Sequence, residues 1–316
     1  MKLYLIAPFF ALALGAQQSS VSSSTAVDIN GHRIVDGPQI AKTKSPDGTQ
    51  RTELLQSING RMVPIERVEE RVLRDDSSGK VVERIIRRYD PQGNPTTSAK
   101  ETIEEQKYSD GSSTTQKTTY RGDINGSMQV IEKSVTQATK SSSGDSVDTV
   151  VERPTVNGSL GVVEKQTKVT VKDGNNYRAD EVTQRTDGNG GFYTAVRKTT
   201  EHSDQGSQAT DNTAEYEATS AAAPLQLHSQ SVATIVKNAD GTQDSVVNIF
   251  GQGSPGVVAS DSTLRLQEQQ VIQTTVGSNG SVVQTVSVRR PSVSDPKTLG
   301  PAKEISQTVC QGTCKP

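Results

Sequence analysis

The chain has 316 residues, of which 31% are hydrophobic and 3% aromatic, with no tryptophan. So little apolar material excludes one thick hydrophobic core, while a net charge of only −2 argues against the highly charged composition of a disordered chain. The near balance of 34 basic and 36 acidic residues gives no reason to expect nucleic acid or an anionic membrane as partner.

From the N-terminus, Lys2 precedes an apolar run from Leu3 to Leu14, and Ala13, Gly15 and Ala16 supply small residues before Gln17. The run falls short of the ~20 apolar residues of a transmembrane helix and has the proportions of a signal peptide. A buried N-terminal helix is the competing reading. Residues 1–16 are therefore expected to be a signal peptide, and 17–29 a flexible Ser-rich leader. The expected destination is secretion, the periplasm or the cell surface, and no later segment is a candidate helical span.

Residues 30–222 carry an internal repeat. Ile58-Asn59-Gly60-Arg61-Met62-Val63-Pro64-Ile65-Glu66 returns as 124–132 and again as 156–164, and Gly60, Gly93, Gly126, Gly158 and Gly190 fall about 33 residues apart. A second glycine follows each one: Gly79, Gly111, Gly144, Gly174 and Gly206. Many of these glycines follow Asn or Asp, and such dipeptides tolerate the positive φ of hairpin turns. Between them lie runs rich in Val, Ile and Thr, whose stiff side chains suit extended chain. Each unit thus predicts two strands. The first-in-unit turns should lie at one end of the sheet and the second at the other.

Pairing 66–74 with 80–88 sets Glu66 opposite Arg88, Val68 opposite Ile86, Glu70 opposite Arg84, Val72 opposite Val82 and Leu73 opposite Val81. The same register puts Arg67 against Arg87, which is unfavourable. Both faces are mixed, unlike a sandwich with one apolar face. The second position after each boundary is mostly apolar (Met62, Met128, Leu160, Phe192, Leu225 and Val258), and is expected to be an inward-facing column. Pro95 interrupts the column and should start a strand or mark an edge.

Residues 223–296 continue the period in degenerate form, with a boundary expected at Ala223-Pro224 or, alternatively, a linker between two sub-domains there. Residues 297–316 form a Pro- and Cys-containing tail in which Lys303 to Val309 is a candidate edge strand. Cys310 and Cys314 are a candidate disulfide in an oxidising compartment.

Arg88-Tyr89-Asp90-Pro91-Gln92-Gly93-Asn94 resembles the Tyr-Asp-x-x-Gly core of YD (Rhs-type) repeats, which implies a β-rich shell of the kind secreted bacterial proteins build. The resemblance covers seven residues, and other units carry Gly122-Asp123, Pro154-Thr155 or Thr186-Asp187 at that place.

Catalytic chemistry finds little support. His202-Ser203-Asp204 is contiguous, whereas triad partners meet from separate segments, and it reads as a turn. Glu66, Glu69 and Glu70 lie among arginines as an ion-pair ladder. Asp187-Gly188-Asn189-Gly190 and Asp173-Gly174-Asn175-Asn176 offer oxygens but no complete calcium loop. Asn125, Asn157 and Asn279 stand in glycosylation acceptor patterns that coincide with predicted turns.

The fold class expected is all-β: a repetitive antiparallel hairpin array, a long meander forming an extended or spiralling sheet, with two strands per unit. No catalytic, cofactor-binding or metal-binding residue is expected. The function expected is that of an exported, non-enzymatic protein with a structural or adhesive surface role, its partner a surface polymer or protein. The alternative is an extracellular module that binds carbohydrate or protein through the turn row or through exposed Tyr89, Tyr108, Tyr120, Tyr177, Tyr193 and Tyr216.

Overall fold

A computed structural model describes residues 20–27, 33–34, 39–58, 61–122, 127–252, 264–276, 281–292 and 298–310. These form β1 (Ser20–Val27), β2 (Arg33–Ile34), β3 (Gln39–Lys44), β4 (Gln50–Ile58), β5 (Arg61–Asp76), β6 (Gly79–Tyr89), β7 (Pro95–Lys107), β8 (Ser113–Gly122), β9 (Met128–Ser141) and β10 (Gly144–Pro154). The chain continues as β11 (Leu160–Asp173), β12 (Asn176–Thr186), β13 (Phe192–Asp204), β14 (Gln208–Glu217), β15 (Gln226–Lys237), β16 (Gln243–Gly251), β17 (Arg265–Val276), β18 (Val282–Arg289) and β19 (Lys303–Cys310). All belong to one antiparallel sheet, and from β3 to β19 each strand pairs with the next in sequence. The expected meander is therefore the fold.

Ser20–Val27, read from the sequence as part of a flexible leader, forms β1. It pairs with β19 over 22–26 and, on its other side, with β3 over 20–23. Lys303–Cys310 is accordingly not an edge, since β19 has β18 on one side and β1 on the other. Pairing also runs unbroken from β14 to β15, so the sheet is continuous across the Ala223-Pro224 segment. Pro95 opens β7, where its missing N–H is tolerated.

The meander sorts the turns into two rows. Gly79, Gly111, Gly144 and Gly174 share one row with Gly48, Gly206 and Gly241, while Gly93, Gly158 and Gly190 sit in the opposite one. Gly60 and Gly126, also expected there, lie outside the described residues. Five-residue turns repeat one design. In 90–94, the Asp90 carboxylate accepts from the backbone of Gln92 and Asn94, and Gly93 supplies a φ of 89°.

The sheet is a single layer. Among the described residues there is one sheet, and the strands make their contacts with the neighbours they are hydrogen-bonded to. The buried strand residues Val82, Glu101, Val151, Ala179, Ala209, Val282 and Val288 follow one alternation and share one face. We call this the crowded face. Met62, Met128, Leu160, Val169, Val171 and Val236 lie on the opposite face and are exposed.

A feature absent from the expected pattern recurs in every second hairpin. Each odd-numbered strand from β5 to β19 contains one residue that the preceding strand's register skips: Ile65, Thr96, Ile131, Val163, Ala195, His228, Gln267 and Ile305. Such bulges bend a strand and increase its twist. All of them lie near the turn row that holds Gly93, Gly158 and Gly190.

Candidate functional site

The crowded face carries the sheet's most chemically developed cluster, where β12, β13 and β14 run side by side. Tyr177, His202 and Asp211 stand opposite one another in a single rung. His202 Nδ1 and Asp211 Oδ1 are 2.5 Å apart, and the Tyr177 ring stacks on the imidazole at 4.8 Å with 11° between planes. Burial, reinforced by the Asp211 charge, pushes the Tyr177 hydroxyl above the usual phenol range. Beyond Tyr177 in the same rung, Lys172 of β11 reaches Asp145 at 2.7 Å.

The contiguous His202, Ser203 and Asp204 form the end of β13 rather than a turn. Strand alternation brings His202 and Asp204 to one face and sends Ser203 to the other. Asp204 accepts from Lys237 Nζ at 2.8 Å, and this bond, with the Gly206 amide behind it, holds its carboxyl below the ordinary value. The nearest hydroxyls on the face, Thr200 and Thr213, bond to each other at 3.2 Å. The rung thus orients an imidazole against a carboxylate and supports it with an aromatic ring, an arrangement that rigidifies three strands. It does not bring Ser203 to His202.

A second motif repeats. Immediately after a bulge, a glutamate on the crowded face clasps an arginine across the hairpin: Glu66 with Arg88 at 3.0 Å, Glu132 with Arg153 at 2.9 Å, Glu164 with Arg185 at 3.1 Å and Glu268 with Arg290 at 3.1 Å. Glu101 is the buried member of the charge ladder, held by Lys117 at 2.6 Å and Arg84 at 3.9 Å, and Arg84 also reaches Glu70 at 2.6 Å. The unfavourable Arg67–Arg87 opposition exists. It is relieved sideways, since Arg67 turns to Glu53 at 2.7 Å and Arg87 to Glu69 at 2.8 Å.

The opposite face holds a belt. Met62, Tyr89, Tyr120, Met128, Leu160, Phe192, Tyr216, Leu227, Phe250 and Leu266 share that face and the end of the sheet next to the bulges. The expected apolar column therefore does point one way, but outward: Met62, Met128 and Leu160 are 37%, 46% and 39% exposed, while Val258 lies outside the described residues. In a single layer no second sheet covers that face. Cations partly shield the rings, with Lys165 4.2 Å from Phe192 and Arg67 5.5 Å from Tyr89. Of the tyrosines named as a binding platform, Tyr89, Tyr120 and Tyr216 join the belt. Tyr177 and Tyr193 face the crowded side, and Tyr108 lies in the opposite turn row.

Among the described residues, no group of three or more His, Cys, Asp or Glu is placed to hold a metal ion. Asp187, weighed as a calcium ligand, instead accepts from the backbone of Asn189 and Gly191. Of Cys310 only the backbone is described, and Cys314 lies outside the described residues. No described helix is long and apolar enough to cross a membrane. No protein family, no curated protein and no solved structure matches the chain.

Proposed function

We propose that this is an exported, non-enzymatic β-repeat protein with a structural or adhesive surface role. The observation that carries the reading is the outward belt on a single-layer sheet. A chain poor in apolar residues exposes Met62, Met128 and Leu160 along one end of one face, and sets five of its eight described aromatic rings half-buried beside them. Apolar surface displayed this way is a contact surface, and the ion-pair ladders behind it hold the sheet without drawing on those side chains. Export follows from the N-terminal sequence.

The test is adsorption of the purified chain to protein-coated and polysaccharide-coated sensors. A triple variant, Met62→Ser, Met128→Ser and Leu160→Ser, should bind several-fold less while keeping its strand-rich circular dichroism. Equal retention by both proteins would overturn the adhesive reading. A second reading, a module that binds one carbohydrate or protein ligand, is favoured by Tyr89, Tyr120 and Tyr216 sharing the belt. It predicts saturable binding to one coating that Tyr120→Ala and Tyr216→Ala abolish. For export, sequencing of the mature N-terminus should begin near Gln17, and an intact Met1 on protein recovered outside the cell would count against it.

A further inference from the structure

Two asparagine–glycine pairs occupy equivalent five-residue turns in the same row, Asn157-Gly158 in 155–159 and Asn189-Gly190 in 187–191. Both glycines adopt left-handed backbone, with φ of 79° and 89°, and both asparagines are exposed. The second turn has Asp187 where the first has Thr155, and a further left-handed glycine, Gly188 with φ of 85°, where the first has Val156. The two also differ in the hydrogen bond of the glycine that follows asparagine. The Gly158 amide donates to the Thr155 carbonyl at 2.9 Å, as Gly93 does to Asp90 and Gly111 to Tyr108 in their own turns. The Gly190 amide donates to no group among the described residues. Asp187 Oδ1 takes the amides on either side of it, Asn189 at 2.8 Å and Gly191 at 3.0 Å, as Asp90 does in its turn, where Gly93 nevertheless keeps its own bond. Gly190 N is thus left between two anchored neighbours, beside an asparagine side chain that makes no hydrogen bond of its own.

We propose that Asn189 is a site of spontaneous, structure-selected deamidation. The Gly190 backbone nitrogen attacks Asn189 Cγ. A bond forms between that nitrogen and Cγ, the Cγ–Nδ2 bond breaks, and the amide proton leaves with Nδ2 as ammonia. The cyclic imide then takes up water at either carbonyl, giving aspartate or isoaspartate at position 189. Glycine at position 190 matters because a side chain there would crowd the attacking nitrogen. At Asn157 the same attack first requires breaking the Gly158–Thr155 hydrogen bond. The product alters the turn: aspartate adds a second carboxylate two residues from Asp187, and isoaspartate lengthens the backbone between the two amides that Asp187 holds. The belt residue Phe192 begins the strand that follows.

The folded full chain, incubated at mildly alkaline pH and mapped by mass spectrometry with isoaspartyl methylation as a second readout, tests this. Asn189 should convert faster than Asn157 by about two- to tenfold, the rate equivalent of one net backbone hydrogen bond. In denaturant, where neither turn persists, the two rates should converge. An Asn189→Ser variant should lose the fast component alone. Equal rates in the folded chain, or faster conversion at Asn157, would overturn the proposal, as would a difference that persists unchanged in denaturant.

Discussion

Glycine at the tight turns does two different jobs, and substitution separates them. At Gly144, φ is 156° and an added Cβ would stand 2.0 Å from the Thr170 carbonyl oxygen of the neighbouring strand, a backbone atom that cannot swing aside. At Gly158, φ is 79° and the space is empty. Gly144→Ala should therefore cost about 2–3 kcal/mol or more, and Gly158→Ala about 1 kcal/mol of strain alone, read as shifts in urea midpoint. The turn carboxylates make a pH prediction. Hydrogen bonds to Asp76 and Asp110, led by the hydroxyls of Ser78 and Ser112, and to Asp90, led by the Asn94 side chain, lower their pKa values. Groups depressed in the folded state contribute stability that is complete above the unfolded value near 3.9 and is lost as pH falls through the folded values. The urea midpoint should be flat from neutrality to about pH 5 and decline below about pH 4. Replacing Asp76, Asp90 and Asp110 together by Asn should flatten that decline.

At the scale of the hairpin, the expected register of β5 with β6 is the observed one from Glu66–Arg88 through Val72–Val82. It was legible because opposite charges and apolar pairs recur at matching offsets from the Asp76–Gly79 turn. It fails at Leu73, which the pairing skips, so that Arg74 rather than Leu73 faces Val81. The same blindness covers all the bulges. A bulged residue such as Val163 or Ile131 has ordinary strand chemistry, and nothing in its identity announces that it lacks a partner. With the bulge unseen, the side to which Met62 and Leu160 point could be read as inward. The fixed distance of Ile65, Ile131, Val163 and Ala195 after their boundary residues was a usable signal in hindsight. Deleting Val163 should restore a regular ladder in which Leu160–Val162 keep their partners on β10, but remove the bend and added twist that the bulge gives β11. We expect a loss of about 1–3 kcal/mol in chemical denaturation. Glu164→Gln, which breaks only an arginine clasp 55% exposed on its basic side, should cost no more than about 1 kcal/mol. Glu101→Gln should cost more, because its two cations would face a buried neutral amide.

For the whole molecule, composition already told against a thick core, and the single layer follows from that shortage. The Tyr177–His202–Asp211 rung was not legible, because it joins three strands whose relative stagger depends on every bulge before them. Its effect is mechanical: it ties β12, β13 and β14 at one height, where the neighbouring residues are Thr and Ala. The pairing of β1 has a consequence in time. Nearly every other contact in the sheet joins strands made one after the other, so hairpins can zip as the chain grows. Ser22, however, has to wait for Cys310. At a synthesis rate of about 5–20 residues per second, the first strand spends tens of seconds without its final partner. The strand made first is thus among the last to be seated: β1 takes its place between β3 and β19 only after the final strand is made.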